Sequence, residues 1–477
     1  MEFKNDKKEI IDFINSSLDL KNDENIDICV SRITRNIDED FLTKRGEYIA
    51  TEILNDIDLN NAFKKLSLIC NDNRKKCNFC PVNKYCNTFI YEARKNVSDD
   101  ALRMIDLFCG AGGLSLGFTQ EGFVTSLAND IQECCVDTYA HNHPETPRNH
   151  IVLGDIQDVV DSLEELLSGR TVDIVVGGPP CQGFSMANRQ RMIDDPRNHL
   201  YKHYVEVVQK VQPRFFVMEN VKGMLSVAEQ VKEDFRNIGY SVECHILNAK
   251  DYGVPQNRER LIYIGNRIGL DNENIFKDIF ELSKTIPDST LENAIYGLRP
   301  LEASRIRNST DKGTELSGYK IEKDRVKKTN EYIEYINQKR SITIVCNHKA
   351  RYNNDRDIEI FGRLHQGDRS DDPKIADIMP YARRNDIFKD KYFKLENKKV
   401  CKTITAHMKF DCNMYIHPTQ ARGITPREAA RIQSYPDDYF FRGAYTKTYM
   451  QIGNSVPPLL GRAIAHVIKK YMKGGND

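Results

Sequence analysis

Residues 103–118 of this 477-residue chain are RMIDLFCGAGGLSLGF, and this stretch decides the fold. The apolar run Met104–Phe108 predicts a buried strand, and Gly110, Gly112 and Gly113 follow it. Glycine permits a tight turn and close approach of the backbone to a ligand, and a helix N-terminus comes next. The pattern predicts the first strand–turn–helix unit of a nucleotide-binding α/β sheet.

Two acidic residues follow at the ends of the next predicted strands. Asp130 lies about twenty residues downstream, where an acid can bind the hydroxyl groups of a ribose. Asp155 closes the third strand, within the sequence VLGDI. A glycine-rich loop with two such acids indicates a ligand that contains adenosine, and leaves open whether it is NAD or S-adenosylmethionine.

Apolar runs alternate with amphipathic stretches as far as residue 267. The runs TVDIVVGG (171–178), RFFVMEN (214–220) and RLIYIG (260–265) are typical of buried strands. This alternation predicts a parallel α/β sheet. The rhythm is lost from about 268 to 400 and returns in helices predicted near 426–435 and from 458 onward.

A thiol and a carboxyl group are predicted to share one edge of this sheet. Cys181 follows Pro179 and Pro180 at the end of one strand, and Glu219 ends another. Ligands bind at the carboxyl edge of open α/β sheets. Most cytosolic cysteines are simply buried, but a Pro-Pro-Cys at a strand end is not typical of a core.

Six segments then appear in the order shown by the cytosine-C5 methyltransferase family, which this chain resembles. They are DLFCGAGGLSLGF, GDI, GGPPCQGFS, ENVKG, QNRER and GNSVPP, together covering about 104–266 and 400–470. The resemblance implies a Rossmann-type, S-adenosylmethionine-dependent methyltransferase fold. It also implies that the last helix completes the cofactor site.

The resemblance assigns roles to individual residues. It implies cofactor binding by Phe108, Gly110, Gly112, Asp130, Asp155, Ile156, Leu200, Asn454 and Ser455. Cys181 would be the nucleophile, Glu219 the acid, and Arg258 and Arg260 would face the flipped cytosine or its phosphate. Gln182 would help to fill the gap left in the duplex. The family often has an aromatic residue after the ribose acid, whereas this chain has Ile131 and contains no Trp.

The chemistry explains why these groups are needed. Cytosine C5 is a poor nucleophile, and addition of a thiolate at C6 turns the ring into an enamine that is reactive at C5. An acid at N3 stabilises the charge that develops, and a partly desolvated Glu219 can stay protonated for this purpose. The target atom is hidden in a duplex, so the base must flip out.

A four-cysteine loop near the N-terminus predicts a metal site. Cys70, Cys77, Cys80 and Cys86 are spaced C-x6-C-x2-C-x5-C, which resembles the iron–sulfur loop of endonuclease III and MutY glycosylases. The resemblance implies a [4Fe–4S] cluster, with a four-thiolate zinc site as the alternative. The interposed basic residues would contact DNA backbone: Arg74, Lys75 and Lys76.

Four regions are predicted along the chain. Residues 1–98 form a helical N-terminal extension with the loop at 70–86, and 101–267 form the first part of the catalytic domain. Residues 268–400 form a target-recognition region, and 401–477 complete the catalytic domain.

Composition and charge indicate the compartment of the protein more clearly than they indicate its substrate. Net charge is zero, but residues 61–98 hold 8 Lys or Arg against 2 Asp or Glu, a basic stretch that could meet phosphate. No apolar run is long enough to cross a membrane, and no apolar leader begins the chain, so a cytoplasmic protein is expected. Thirteen cysteines are expected to be ligands, catalytic thiols or buried residues.

The sequence therefore predicts a site-specific DNA cytosine-C5 methyltransferase that acts on duplex DNA in a restriction–modification or host-marking role. A monomer on DNA is the favoured state. Two alternatives stay open: a tRNA cytosine-C5 methyltransferase, and a non-catalytic DNA-binding regulator. A glycosylase or nicking fusion is suggested only by the cysteine loop.

Overall fold

The computed structural model describes residues 100–143, 145–180, 200–307, 310, 312–322, 328–338, 345–380, 391–410 and 412–474. Several predicted site residues lie outside these ranges. They are the metal-loop residues Cys70, Arg74, Lys75, Lys76, Cys77, Cys80 and Cys86, the nucleophile Cys181, and Gln182.

A seven-stranded sheet forms the centre of the described structure, in the order β3-β2-β1-β4-β5-β7-β6. The strands are β1 (Arg103–Leu107), β2 (Val124–Asp130), β3 (Ile151–Leu153), β4 (Ile174–Gly177), β5 (Phe215–Asn220), β6 (Ser241–Asn248) and β7 (Glu259–Asn266). The chain reverses its direction of winding between β1 and β4, which is where open α/β sheets bind their ligands. The predicted Rossmann-type sheet is confirmed.

Helices cover both faces of this sheet, and others follow it. They are α1 (Gly113–Gln120), α2 (Glu133–Asn142), α3 (Ile156–Asp161), α4 (Leu163–Leu167), α5 (Leu200–Val211), α6 (Ala228–Arg236), α7 (Asn272–Ser283), α8 (Leu291–Ile295), α9 (Glu331–Ile336), α10 (Asp355–Arg363), α11 (Pro426–Ile432), α12 (Tyr445–Asn454) and α13 (Pro458–Met472). The two C-terminal helices predicted from sequence are α11 and α13.

Alternation along each strand divides the core into two layers. On β5, Phe215 and Val217 join the apolar cluster under α1, α7 and α13. Phe216 and Met218 join the opposite cluster, under α3, α5 and α6. Near-continuous burial on both faces explains why the strands appear in the sequence as unbroken apolar runs.

The sheet predicted as parallel contains one antiparallel strand, which lies near one edge. β7 pairs antiparallel with β5 and with β6. The short connection through a 3-10 helix at Ala249–Tyr252 returns the chain directly alongside β6. A parallel arrangement would need a longer crossover than these few residues provide.

Residues 268–400 contain two kinds of structure. α7 packs its apolar face, Ile275, Phe276 and Ile279, into the same core cluster as α13. Further along, a separate small cluster forms around Phe361, Ile375 and Tyr392, and the two-stranded pair β8 (Ile321–Glu322) and β9 (Val345–Cys346) lies outside the main sheet. This stretch therefore begins on the sheet and continues into a smaller unit.

Two buried arginine–carboxylate pairs lie in the C-terminal part of the chain, and each arginine also donates to a carbonyl oxygen in the 268–400 stretch. Arg422 donates two hydrogen bonds to Glu428, at 2.8 and 2.7 Å, and both side chains are 1% exposed. Arg431 binds Asp437 at 2.6 Å and also donates to the carbonyl oxygen of Tyr296. Pairing of this kind removes most of the penalty of burying the charges.

Two buried histidines lie beside the Arg422–Glu428 pair. Burial lowers the pKa of His348 to about 4 and that of His417 to about 3. Burial alone would raise the pKa of Glu428, but the charge of Arg422 brings it well below its ordinary value. In all three cases the folded-state pKa lies below the unfolded one, so the unfolded chain binds more protons as pH falls.

We therefore expect the free energy of unfolding to decrease on acidification, first through the histidines below about pH 6.5 and then through Glu428 below about pH 4.5. Each histidine contributes about 2 kcal/mol between pH 7 and pH 5. Urea unfolding at the two pH values measures the loss. His348→Gln should make it smaller, while the control His245→Gln, on the half-exposed face of β6, should not. An equal loss in all three proteins would contradict the assignment.

Within the described residues, no helix is both long and apolar enough to cross a membrane.

Candidate active site

The turn after β1 is shaped by left-handed backbone conformations. Phe108 has φ 55°, Gly110 54° and Gly112 79°. Both carboxylate oxygens of Asp130 accept backbone hydrogen bonds: Oδ2 from Gly110 at 2.9 Å and Oδ1 from Gln132 at 2.7 Å. Burial raises the pKa of Asp130. Asp130 therefore fixes the glycine loop as well as ending β2.

Apolar surface is exposed beside this loop, at the carboxyl ends of β2 and β3. Ile131 is 62% exposed and Leu153 48% exposed. Asp155 caps α3 by accepting a hydrogen bond from Gln157 at 2.9 Å. The side chain of Ile156 is buried in the core, so only its backbone faces this edge. An acid beside exposed apolar side chains suits a nucleoside.

The C-terminal end of the chain closes the same edge. A Cβ at Gly113 would lie 2.1 Å from Ser455 Oγ and 2.3 Å from the carbonyl oxygen of Val456, so only glycine fits. The hydroxyl group of Ser455 is hydrogen-bonded to that of Tyr435, and Asn454 is exposed at the end of α12. Leu200 begins α5 and is partly buried against the second core cluster.

Tyr439, in the segment PDDYFF (436–441), is a residue for which the sequence predicted no role. Its hydroxyl group donates to the carbonyl oxygen of Ala111 and lies 3.3 Å from His143 Nε2. His143 in turn contacts Glu145 at 3.1 Å. Tyr439 thus ties the C-terminal block to the glycine loop from behind. An aromatic residue directly after the Pro-Asp-Asp turn was the available signal.

Glu219 forms the centre of the predicted catalytic edge. Its Oε1 pairs with Arg260 Nε at 2.7 Å, and the two side chains are 11% and 15% exposed. A Cβ at Gly178 would lie 2.9 Å from Oε2, so the second oxygen lies over the end of β4. The sequence predicted that Glu219 is a partly desolvated acid, but it did not predict the pairing of Glu219 with Arg260. The guanidinium of Arg260 holds one oxygen of the Glu219 side chain and thereby orients the other.

The segment that leads to Cys181 is held by the residue after Glu219. Asn220 is buried and donates to the carbonyl oxygen of Pro179 at 3.0 Å. Its own Oδ1 accepts from the backbone of Val221 at 2.9 Å. Pro179 and Pro180 restrict the backbone that follows. The structure therefore places Glu219 beside Gly178, which precedes the thiol by three residues in the sequence.

The two arginines of QNRER occupy different environments. Arg260 points to Glu219, but Arg258 is 1% exposed and donates to the carbonyl oxygens of Ile404 at 2.8 Å and Gly453 at 3.1 Å. Burial lowers the pKa of Arg258. The expectation that Arg258 faces the cytosine or its phosphate needs correction, because these contacts fix it between β7 and the C-terminal segments.

Other basic or histidine side chains are similarly constrained. His348 is buried and bonded to Thr425 and to the carbonyl oxygen of Arg299. The seven cysteines among the described residues are free thiols. Within the same residues, no group of three or more His, Cys, Asp or Glu side chains could hold a metal ion.

Comparison with known proteins agrees with this geometry. Residues 102–470 match the model of the C-5 cytosine-specific DNA methylase family. The chain is 35% identical over 378 residues to the type II methyltransferase M1.HphI of Haemophilus parahaemolyticus, covering 78% of this chain and 87% of that protein. It is 36% identical over 402 residues to M.DdeI of Desulfomicrobium norvegicum, covering 79% and 90%.

Among solved structures, a prophage-encoded protein of E. coli described as a DNA modification methyltransferase superposes with a TM-score of 0.60 at 25% identity. The match covers 78% of this chain and all of that one. The chain therefore belongs to the C-5 cytosine-specific DNA methylase family and is an S-adenosylmethionine-dependent DNA (cytosine-5-)-methyltransferase.

Proposed function

We propose that this enzyme methylates cytosine at one sequence in duplex DNA through a covalent adduct with Cys181, and that Glu219 and Arg260 are its other catalytic residues. The observation that carries the proposal is the position of Glu219. Its carboxylate is paired with Arg260 and lies over Gly178, on the strand end that runs into Cys181.

The thiolate of Cys181 adds to C6 of the flipped cytosine, and the electron pair of the C5–C6 bond moves toward C5 and N3. Glu219 holds a proton at N3 as this charge develops, while Arg260 holds Oε1 and directs Oε2 toward the ring. S-adenosylmethionine, when bound, supplies an electrophilic methyl group for C5. Loss of the C5 proton to a base, return of the N3 proton to Glu219 and departure of the Cys181 thiolate restore the aromatic ring.

The cofactor site is the edge formed by β1, β2 and β3. The loop from Phe108 to Gly112 would receive the methionine part, and Asp130 the ribose. Ile131 and Leu153 offer exposed apolar surface to the adenine, with Asp155 and the backbone of Ile156 beside them. Leu200, Asn454 and Ser455 would complete the site. These residues fit the cofactor because an acidic side chain, a glycine-containing turn and exposed apolar side chains meet at this edge.

Target recognition is assigned to the stretch 268–400, excluding α7, which packs on the sheet. Residues 268–283, which include α7, are therefore grouped with 101–267, and residues 401–477 complete the catalytic part. Relatives named type II methyltransferases support a role in protecting DNA within a restriction–modification system. The substrate places the enzyme in the cytoplasm, and we propose that it acts as a monomer on DNA.

Transfer of labelled methyl groups tests the proposal directly. Wild type and Cys181→Ala are incubated with S-adenosylmethionine and either a random-sequence duplex pool or tRNA, and the DNA is sequenced for 5-methylcytosine. We expect label in duplex DNA at one sequence, lost with Cys181→Ala. Label only in tRNA would change the substrate. No label from folded protein that binds the cofactor would favour a non-catalytic regulator.

Tyr439 should affect the cofactor more than the chemistry. Tyr439→Phe removes the hydrogen bond to Ala111 that supports the glycine loop. The net worth of one such bond, about 1 kcal/mol, corresponds to a rise of several-fold in the KM for S-adenosylmethionine. We expect kcat at saturating cofactor to change by less than twofold. Steady-state kinetics separate the two parameters.

Tyr240→Phe is the matched control. Tyr240 is also buried and donates to a backbone carbonyl, that of Pro213 at 2.6 Å, but at the opposite end of β5 from the site. It should lose comparable stability and keep the wild-type KM. If Tyr439→Phe and Tyr240→Phe have equal KM values for S-adenosylmethionine, Tyr439 has no specific role in supporting the cofactor loop.

We also propose that Cys70, Cys77, Cys80 and Cys86 bind a metal centre, a [4Fe–4S] cluster in preference to zinc, and that Arg74, Lys75 and Lys76 contact DNA backbone. Their spacing is the support for this assignment. Iron, acid-labile sulfide and zinc are measured in purified protein and in Cys77→Ser. Metal content and DNA affinity that are unchanged in the variant would refute the proposal.

A further inference from the structure

One large apolar side chain is exposed close to the catalytic edge. Phe410 is 65% exposed, the highest value among the exposed large hydrophobic residues of the described structure. It follows a 3-10 helix, Ala406–Lys409, which packs against α12. Single exposed aromatic side chains are common on protein surfaces and by themselves indicate no function. An exposed ring indicates a binding role only if the backbone that carries it is held in place.

The backbone around Phe410 is firmly held. Arg351 donates to the carbonyl oxygens of Met408 and Phe410, both at 3.0 Å. Met408 is completely buried, and the backbone of Phe410 donates to His407 at 3.1 Å. The ring is therefore presented to solvent on a fixed support, without an apolar cluster of its own.

The segment that leads to Phe410 is hydrogen-bonded to the two residues that precede β7. Cys401 accepts from the backbone of Asn257 at 2.8 Å, Thr403 donates to Asn257 at 2.6 Å, and Ile404 accepts from Arg258 at 2.8 Å. Asn257 lies two residues before β7, the strand that carries Arg260. Two extended residues and one 3-10 turn connect Ile404 to Phe410. Phe410 therefore lies within about 15 Å of Ile404.

The charge around the ring matches a polyanion. Residues 398–409 contain four lysines and one histidine and no acidic residue. The ammonium group of Lys409 lies 4.9 Å from the centre of the Phe410 ring, and His407 packs edge-on at 5.5 Å. Proteins that deform duplexes combine phosphate-binding cations with apolar side chains inserted between bases.

We propose that Phe410 is a DNA-contacting residue whose ring packs against unstacked bases beside the flipped cytosine, with Lys409 binding the adjacent phosphate. The inference rests on the proposed function, because it takes duplex DNA as the partner. Under this proposal, the segment 405–410 contributes an aromatic side chain to the gap that the flipped base leaves in the duplex. This contact is additional to Gln182, which was predicted from the sequence. The physical reason is that an unstacked base regains stacking on an aromatic face.

The test compares Phe410→Ala with Phe280→Ala, an exposed phenylalanine on α7 whose ring contacts His245 of β6 edge-on. The probe is a duplex that contains the methylated sequence with 2-aminopurine in place of the target base. Fluorescence anisotropy gives DNA affinity, and the 2-aminopurine signal reports unstacking. We expect Phe410→Ala to weaken DNA binding roughly tenfold and to reduce the unstacking signal. Phe280→Ala should behave as wild type.

Two further measurements sharpen the result. Lys409→Gln should lower the slope of log affinity against log salt by about one unit. Cofactor affinity should be the same in every variant. Wild-type DNA affinity and unstacking in Phe410→Ala would overturn the inference, as would a wild-type dimer that becomes a monomer in this variant. Methylation of the matching duplex that keeps cytosine at the target position is measured with wild type in parallel, so failure of the proposed function would be seen separately.

Discussion

Glu219→Gln is expected to lower kcat by a factor of roughly 10² to 10⁴, the range lost when a positioned acid or base is removed. The substitution keeps the shape of the side chain and one oxygen for Arg260, but removes the group that shares a proton with the ring. Single-turnover methyl transfer at saturating DNA and cofactor measures the chemical step. Cofactor affinity should be unchanged, because the carboxylate lies on the β4–β5 side of the site.

Glu259→Gln controls for a nearby loss of charge. Glu259 begins β7, is exposed, and pairs with Lys222 at 3.1 Å. It is one residue from Arg260 but has no contact with Glu219 among the described residues. This variant should transfer methyl groups at the wild-type rate. If the rate of single-turnover methyl transfer by Glu219→Gln is within threefold of the wild-type rate, Glu219 does not take part in the chemical step.

The sheet and its functional edge could be predicted because both are local in sequence. A strand buried on two faces leaves an unbroken apolar run, and a turn into a helix leaves glycines such as Gly110 and Gly112. Parallel strands bring their carboxyl ends together, so the residues after each run mark one site. The exception was β7, since an apolar run such as RLIYIG does not encode strand direction.

Side-chain contacts between distant segments could not be predicted in the same way. Arg258 and Arg260 are two residues apart on a strand start, yet one is bonded to carbonyls at 404 and 453 and the other to Glu219. The partners of Tyr439 lie 296 and 328 residues away. Nothing in the local sequence distinguishes a buried structural arginine from one that faces a substrate, because both are surrounded by the same motif.

The buried pair Arg422–Glu428 leads to the second large effect, this time on stability. Glu428→Gln retains an oxygen for the N-cap backbone of α11, where Glu428 completes a capping box with Thr425. It removes only the charge, and therefore leaves the Arg422 guanidinium buried without its counterion. Breaking a buried pair by removing one partner costs about 3–5 kcal/mol. We expect a loss of that size in the free energy of urea-induced unfolding at pH 7.

A double variant distinguishes the missing charge from a general loss of packing. Arg422→Met together with Glu428→Gln removes both charges, so part of the loss should be recovered relative to Glu428→Gln alone. Glu259→Gln, which breaks an exposed pair, should leave the unfolding curve almost unchanged, because solvent screens such pairs. A double variant less stable than the sum of its two single variants would contradict this account. In that case Arg422 would stabilise the joint through its carbonyl contacts, to Leu301 and Gly423, more than through Glu428.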